Sequence, residues 1–419
     1  MKNYIFESIK TEIKGEYDVI VCGGGPAGIG AAIAASRNGA KTLLVERYGF
    51  LGGMWTAGLI NPIFDYANKG GIIEEIIIKL KKRRSFGGFI NSCFNYDDIK
   101  VILDNMVKEA RVLPLYHTWI SRPVMDENRV KGIITENKNG RYAYLSKVVI
   151  DCTGDGDVAA DAGADYKIGR DADGKTQAMT LMFVLGNIKY NQTDAFQVYN
   201  LMRRAVDENK LPYKIQYQRP FIIQLPGQDA AVVQLTHIRG LSGLDASDLT
   251  EAEIEGRKQV MDTIELFRKY IPQFRNVKLL YTAPQIGIRE TRRIIGEYKL
   301  SLEDVIEGRQ FNDGITTVTS GIDIHEPDTA GQNCIKVKPY QIPYRCLVPK
   351  KIDGILTAGR CISGSFEAHA SYRVTGDCIA IGQAAGTAAA LSIKNNCKVR
   401  EINTTKLINL LKAQNVRGC

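Results

Sequence analysis

At 419 residues, 44% hydrophobic and 24% charged, the chain has the size and composition of a globular protein with room for more than one core. No apolar run reaches the roughly 18 residues that a membrane-spanning helix needs, because Glu74 and Glu75 interrupt residues 72–80; MKNYIFESIK at the start has no signal-peptide core, so a cytoplasmic location is expected and no membrane partner. The net charge of +9 is spread over 55 basic residues, and the densest run, KLKKRR at 79–84, reads as the solvated end of a helix, so no nucleic-acid partner is expected, although an anionic small substrate would be attracted.

Residues 1–16 read as a short lead-in. Residues 18–22 form an apolar, β-branched run that suits a buried parallel strand, and it breaks into Gly23, Gly24 and Gly25. Gly23 permits a tight turn, Gly25 lacks the Cβ that would hold the backbone off a pyrophosphate, and Gly28 lets the next helix sit close to the strand. That helix, at about 27–38 and preceded by Pro26, is rich in alanine from Ala27 onward and points its free N–H groups at the phosphates. Gly39 ends it. A second buried strand at 41–45 runs into Glu46, where a carboxylate accepts hydrogen bonds from a ribose diol and repels a 2′-phosphate. After Arg47 comes FLGGMWTAG at 50–58, in which Gly52 and Gly53 allow backbone contact with phosphate and Met54, Trp55 and Thr56 follow as cofactor contacts.

Amphipathic helices are predicted at 70–83 and 96–110, then strands over 112–150 with turn signals at 126–128 and 137–140, the pattern of a β-meander. The strand in KVVIDCTGDGDVAADAGA (147–164) breaks at Thr153, Gly154 and Asp155. Composition then shifts. Segments 176–186 and 230–240 read as strands of a different sheet, and 250–271 as a helix with a Thr250/Glu253 capping box and an apolar stripe of Val260, Ile264, Phe267 and Ile271. In GIRETRRIIGEYKLS (287–301), Arg289 and Arg292 either bind an anionic substrate or pair at a surface. Residues 353–392 give a strand, a loop holding Gly359 and Arg360, and a second small-residue helix beginning near Gln383 and Ala384.

The nine cysteines are scattered, none closer than twelve residues to the next, which excludes C-x-x-C redox and zinc motifs. Cys22, Cys152 and Cys378 read as packing residues; Cys361 lies in the C-terminal loop and keeps a functional option. With only four histidines, at 117, 237, 325 and 369 and far apart from one another, no metal site is expected.

Segments 17–53, 147–164 and 353–392, with a weaker echo at 340–349, resemble the glutathione-reductase-like FAD-dependent oxidoreductases, in the branch akin to the fumarate reductase flavoproteins. The resemblance implies an α/β fold: a Rossmann-like FAD-binding domain with a parallel sheet and a β-meander, formed by 1–165 and 331–419, around an inserted α+β substrate-side domain at 166–330. It implies non-covalent FAD held by the residues named above and by Asp377. EAHASYR at 367–373 has an H-x-x-x-R spacing that nominates Arg373 as the cation facing substrate or flavin, with His369 or Tyr372 assisting proton transfer. Val374, Thr375, Gly376 and Asp377 depart from the fumarate reductase pattern, so fumarate is not carried over.

The function implied is two-electron hydride transfer between flavin N5 and a small organic substrate, for which negative charge is one option. Without a second G-x-G-x-x-G unit, electrons are expected from a small carrier, a partner protein or transient pyridine nucleotide. A tRNA-modifying flavoprotein, which also begins with a triple-glycine turn, and a non-catalytic flavin-binding subunit are the alternatives.

Overall fold

A computed structural model describes residues 5, 7–88, 91–188, 195–209, 211 and 214–419; within the expected lead-in, residues 1–4 and 6 lie outside it. Strand β1 (Glu12–Cys22) is buried over its last four residues, turns at Gly23 with φ +99°, and passes into helix α1 (Pro26–Arg37). Gly39, at φ +94°, ends the helix turn, and β2 (Thr42–Val45) is wholly buried. The lead-in is thus shorter than expected. Residues 12–17 extend β1 beyond the core as a half-exposed run with no apolar signature to announce it.

Helices α2 (Gly71–Lys82) and α3 (Tyr96–Glu109) bury one face each, Ile72, Ile73, Ile76, Ile77 and Leu80 on the first and Ile99, Ile102, Leu103 and Met106 on the second. Asn95 caps α3 by accepting hydrogen bonds from the Asp97 and Asp98 amides. Then follow β3 (Leu113–Leu115), β4 (Trp119–Asp126), β5 (Arg129–Asn137) and β6 (Gly140–Asp151). The central sheet runs β3-β2-β1-β6-β5-β4, parallel from β3 to β6 and antiparallel in the meander β4-β5-β6.

A second, antiparallel sheet is built from β7 (Phe183–Gly186), β8 (Phe221–Gln224), β9 (Ala230–Gln234) and β10 (Lys278–Thr282), in the order β8-β9-β7-β10. β7 and β9 are shorter than the predicted 176–186 and 230–240 because the flanking chain makes only isolated bridges, such as Met179 with Ile238 and Thr180 with Gly287. Between β9 and β10 runs α4 (Ala246–Tyr270), which begins a turn earlier than its sequence pattern indicated. The Asp245 carboxylate caps it on the Ser247 and Asp248 amides, while Thr250 donates back to the Ala246 carbonyl and Glu253 accepts from the Ile286 amide. There is no capping box at Thr250 and Glu253. The apolar stripe is buried throughout.

The hairpin β11 (Ile322–His325) and β12 (Gln332–Ile335) precedes the return to the central sheet, where β13 (Ile355–Thr357) pairs in parallel with β6. Helices α5 (Phe366–Tyr372) and α6 (Thr375–Lys394) follow. α6 begins eight residues before the predicted start and crosses α1 backbone to backbone. A Cβ added at Gly30 would lie 2.3 Å from the Ile379 carbonyl oxygen, one at Gly382 1.9 Å from that of Ala27, and one at Gly386 2.1 Å from that of Ala31. The small residues of α6 serve this crossing. Among the described residues no helix is long and apolar enough to cross a membrane.

Candidate functional site

One continuous cavity of about 920 Å³ lies between the C-terminal ends of the central strands and the second sheet, near the top of the range of roughly 300–1,000 Å³ for small-molecule sites. It has two chemically different ends.

At the first end the wall is mostly backbone. Gly23, Gly25, Pro26, Ala27, Gly53, Met54, Thr153, Gly154, Asp155, Gly359 and Arg360 line it, with Glu46 and Arg47 at the rim of β2. A Cβ at Gly25 would meet nothing nearer than the Gly53 Cα at 3.8 Å, so it would project into the cavity. Gly28 lies beneath, where a Cβ would sit 1.8 Å from the Gly23 carbonyl oxygen. Neither α1 nor α6 has a side-chain cap at its N-terminus, and both termini open on the cavity through Gly25 and through Val374 and Thr375. Two uncapped helix ends supply N–H groups and positive dipole ends to an anion.

Buried side chains fix this backbone. The Asp151 carboxylate accepts from the Thr153 amide (3.1 Å) and hydroxyl (2.7 Å) and from the Ala159 amide (2.8 Å), which sets the turn after β6. Glu46 takes the Gly24 amide at 2.6 Å and the Tyr48 amide at 2.9 Å; burial raises its carboxyl pKa and these N–H groups oppose the rise. Arg360 pairs with Asp155 at 2.6 Å, and its buried Nη1 has no hydrogen-bond partner among the described residues. An open glycine cradle, two uncapped helix ends and an orphaned guanidinium nitrogen fit a dinucleotide diphosphate.

The second end is made of side chains. Arg289, Arg373, Asp323, His325, Tyr217, Gln332, Cys334 and Arg219 line it. Arg289 donates only to neutral groups, the Ala178 carbonyl (2.6 Å) and the Thr180 hydroxyl (2.8 Å), and no carboxylate among the described residues forms an ion pair with it. Burial and the neighbouring Arg373 push its pKa down to about 9. Arg373 donates to the Asp323 carbonyl at 2.8 Å and lies 3.4 Å from its carboxylate. Asp323 is held well below the usual carboxylate range: burial opposes ionisation, but His325, Arg373 and Gln332 outweigh it. His325 Nε2 is 3.4 Å from Asp323 Oδ2, and His325 Nδ1 is 2.8 Å from Nε2 of the buried His237. Tyr217 stacks on His237, with ring centroids 4.2 Å apart.

The structure does not bring every predicted residue to the cavity. His369 is fully buried on α5, with neither ring nitrogen hydrogen-bonded among the described residues, and burial lowers its pKa well below the usual value. Tyr372 is equally buried and donates to the Ile362 carbonyl at 2.9 Å. His369 lies one helical turn before Arg373 and Tyr372 directly before it, and both face the core and not the cavity. Arg292 pairs with Asp157 (2.8 Å) and packs over Tyr166, the surface-pairing alternative.

Trp55 and Thr56 turn inward, the first against Phe94 and the second onto the Leu51 carbonyl, while Gly52 (φ +111°) donates its amide to the Gly24 carbonyl. Because α6 starts at Thr375, Gln383 and Ala384 are in mid-helix: Gln383 accepts from the Ile72 amide at 2.9 Å, and Ala384 is buried. Asp377 forms a buried ion pair with Lys69 at 2.6 Å. Cys361 is buried with its thiol pKa pushed well up, and Cys152 and Cys378 pack in the cavity wall.

Asp323, His325, His237 and Tyr217 went unnoticed in the sequence. The signal available for two of them was GIDIHEP at 321–327, where aspartate and histidine two apart on a strand share one face.

The family model for FAD dependent oxidoreductases matches residues 18–411. Among curated relatives, the tRNA uridine 5-carboxymethylaminomethyl modification enzyme MnmG of Nitratiruptor sp. is 26% identical over 276 residues, 58% of this chain and 43% of that protein. Thiamine thiazole synthase of Aeropyrum pernix is 38% identical over 131 residues, 31% of this chain and 46% of that protein. The chain thus spans less than half the length of either. Among solved structures, a geranylgeranyl bacteriochlorophyll reductase-like protein of Thermoplasma acidophilum aligns over 96% of this chain and 84% of its own with a TM-score of 0.52 and 15% identity. The flavin-dependent brominase Bmp2 aligns over the same shares with a TM-score of 0.50 and 13% identity. These two likenesses concern the fold alone. With a family match that runs from β1 to beyond α6, the chain belongs to the FAD-dependent oxidoreductases, and FAD is its cofactor.

Proposed function

We propose that the protein catalyses a two-electron oxidation or reduction of a small organic carboxylate. When bound, FAD supplies the hydride acceptor or donor. The observation that carries this reading is Arg289, a guanidinium with no ionic partner among the described residues, on the same cavity as the glycine cradle. A half-buried cation bonded only to neutral groups is costly, and a ligand carboxylate compensates it. Arg289 and Arg373 bind and orient the carboxylate, and the fork geometry of each favours paired N–H contacts. Met182, Tyr217 and Phe221 give the cavity an apolar wall that excludes water around the reacting carbon. Electrons enter or leave through a small carrier or a partner protein.

The match to MnmG favours a second reading, tRNA modification. Against it, two cations of the densest basic run already have acidic partners, Lys79 with Glu109 and Arg83 with Asp98. Loss of tRNA binding with rising salt would mark that reading.

The test is an anaerobic screen of the FAD-loaded protein against small carboxylates and their amides. Carboxylates are expected to bleach the oxidised flavin, or to reoxidise the photoreduced protein, and the amides are not. Amides that react as fast as their parent acids overturn the proposal.

A further inference from the structure

The second end of the cavity holds an anion beside its cations. Asp323 is an acceptor-only carboxylate whose side chain keeps 36% of its surface open, and it lines the cavity with Arg289 and Arg373. On Oδ2 its contacts to His325 Nε2 and Arg373 Nη2 are both long, 3.4 Å; on Oδ1 Gln332 binds closely and the Cys334 thiol donates at 3.7 Å. The Oδ2 oxygen, met only at 3.4 Å, therefore keeps acceptor capacity on the cavity that also holds the unfilled donors of Arg289.

The histidines behind it add no charge. Because ionised Asp323 can only accept, the neutral His325 ring carries its proton on Nε2. Its Nδ1 is then an acceptor and receives a hydrogen bond from His237 Nε2–H, which leaves His237 Nδ1 a bare lone pair. That nitrogen is buried and has no partner among the described residues. Burial and the charge of Arg289 lower the pKa of both rings, and Arg239 adds to this at His237 and Arg373 at His325. With Arg219 exposed at the rim, the inner pair Arg289 and Arg373 against Asp323 leaves a single net positive charge, which one ligand carboxylate neutralises.

Resting on the carboxylate reading above, we infer that Asp323 is a specificity determinant: the site takes a carboxylate carrying a hydroxyl or ammonium donor on the neighbouring carbon and rejects a second carboxylate. The ligand carboxylate goes to Arg289, and its O–H or N–H donates to Asp323. A second carboxylate in that place would face Asp323, acceptor against acceptor and charge against charge. The charge balance favours the hydroxyl over the ammonium.

Calorimetric titration of the oxidised, FAD-loaded protein with lactate, alanine, propionate and malonate tests this without turnover. Lactate is expected to bind roughly tenfold more tightly than propionate, the contribution of one hydrogen bond to a charged acceptor, with malonate weakest. Alanine tells the ammonium from the hydroxyl: binding between that of propionate and lactate supports the charge balance, and binding tighter than lactate overturns that part. Asp323→Asn is expected to erase the preference for lactate over propionate and to admit malonate.

Malonate binding the wild-type protein as well as lactate, a lactate preference that survives in Asp323→Asn, or no binding by any of the four overturns the inference. Should Asp323→Asn fail to retain FAD, the wild-type order decides alone, together with nitrogen NMR of the four histidines. That spectrum must show His325 and His237 protonated on Nε2; protons on Nδ1 overturn the assignment. Selective binding without flavin bleaching by any acid counts against the proposed catalysis and leaves the specificity assignment standing.

Discussion

The two ends of the cavity are built from different materials. The nucleotide end is backbone, shaped by glycines and helix termini within short stretches of chain, whereas the substrate end is side chains contributed by four separated segments: 217–219, Arg289, 323–334 and Arg373. Backbone geometry follows from local sequence, because a glycine with positive φ or a helix start is fixed by its neighbours. Side-chain convergence follows from tertiary packing. The first end therefore fails by steric intrusion and the second by altered charge.

The sharpest break in that contrast comes from paired glycine substitutions, which have the largest expected effects. Gly382→Val drives a branched side chain into the Ala27 carbonyl, where even a Cβ would lie at 1.9 Å. It is expected to cost at least about 3 kcal/mol through overpacking of the α1–α6 crossing and to abolish soluble folded protein. Gly25→Ala places its methyl in the open cradle, 3.8 Å from its nearest neighbour. Stability without FAD should be unchanged while FAD affinity falls at least about tenfold, or about 1.4 kcal/mol. Thermal melts and FAD titration of both variants check this; equal FAD affinity in wild type and Gly25→Ala would refute the cradle.

At the substrate end the expected losses are smaller and leave the fold intact. Arg289→Gln removes a cation that has no ionic partner, so stability should hold or rise slightly, whereas half-saturation by an accepted carboxylate should rise roughly 10- to 100-fold, as for a charge-assisted hydrogen bond. A variant with unchanged half-saturation, or one that unfolds, would make Arg289 a structural residue.

The same division governs what the sequence discloses. Strand, triple-glycine turn, alanine-rich helix and Glu46 are legible because each feature lies within thirty residues of the next and obeys one backbone rule. The meander and the amphipathic helices are legible by periodicity. The start of α6 was not, because a fully buried helix has no polar face to set its phase, and GQAAG resembles a turn-to-helix junction when it is the interior of a crossing. Arg373 was nominated by a family spacing, but the same spacing misplaced His369. In the sequence nothing distinguishes a histidine aimed at a cavity from one turned into a core. His237, 88 residues from the His325 it bonds, left no trace at all.

His369 gives the smallest effect and tests how far that spacing can mislead. Its ring is buried with both nitrogens unpaired among the described residues, so His369→Leu should raise stability at pH 7 by about 1 kcal/mol, the cost of an unsatisfied buried polar group. The pH dependence has a definite sign. Burial first, and Arg293, Arg373 and Arg360 after it, keep the folded ring neutral, while the unfolded ring binds a proton at its ordinary pKa near 6.5. The unfolded state therefore holds more protons below pH 6.5, and the wild-type protein loses up to about 1.4 kcal/mol per pH unit from this residue as pH falls. Glu290, pushed up to about 7 by burial, contributes with the opposite sign, but it is present in both proteins and cancels in their difference. Urea unfolding at pH 7 and pH 5.5 should thus show the advantage of His369→Leu growing on acidification, with FAD affinity unaltered. A variant that loses FAD, or reduces it more slowly with an accepted acid, would restore His369 to the site and weaken the division between the two ends.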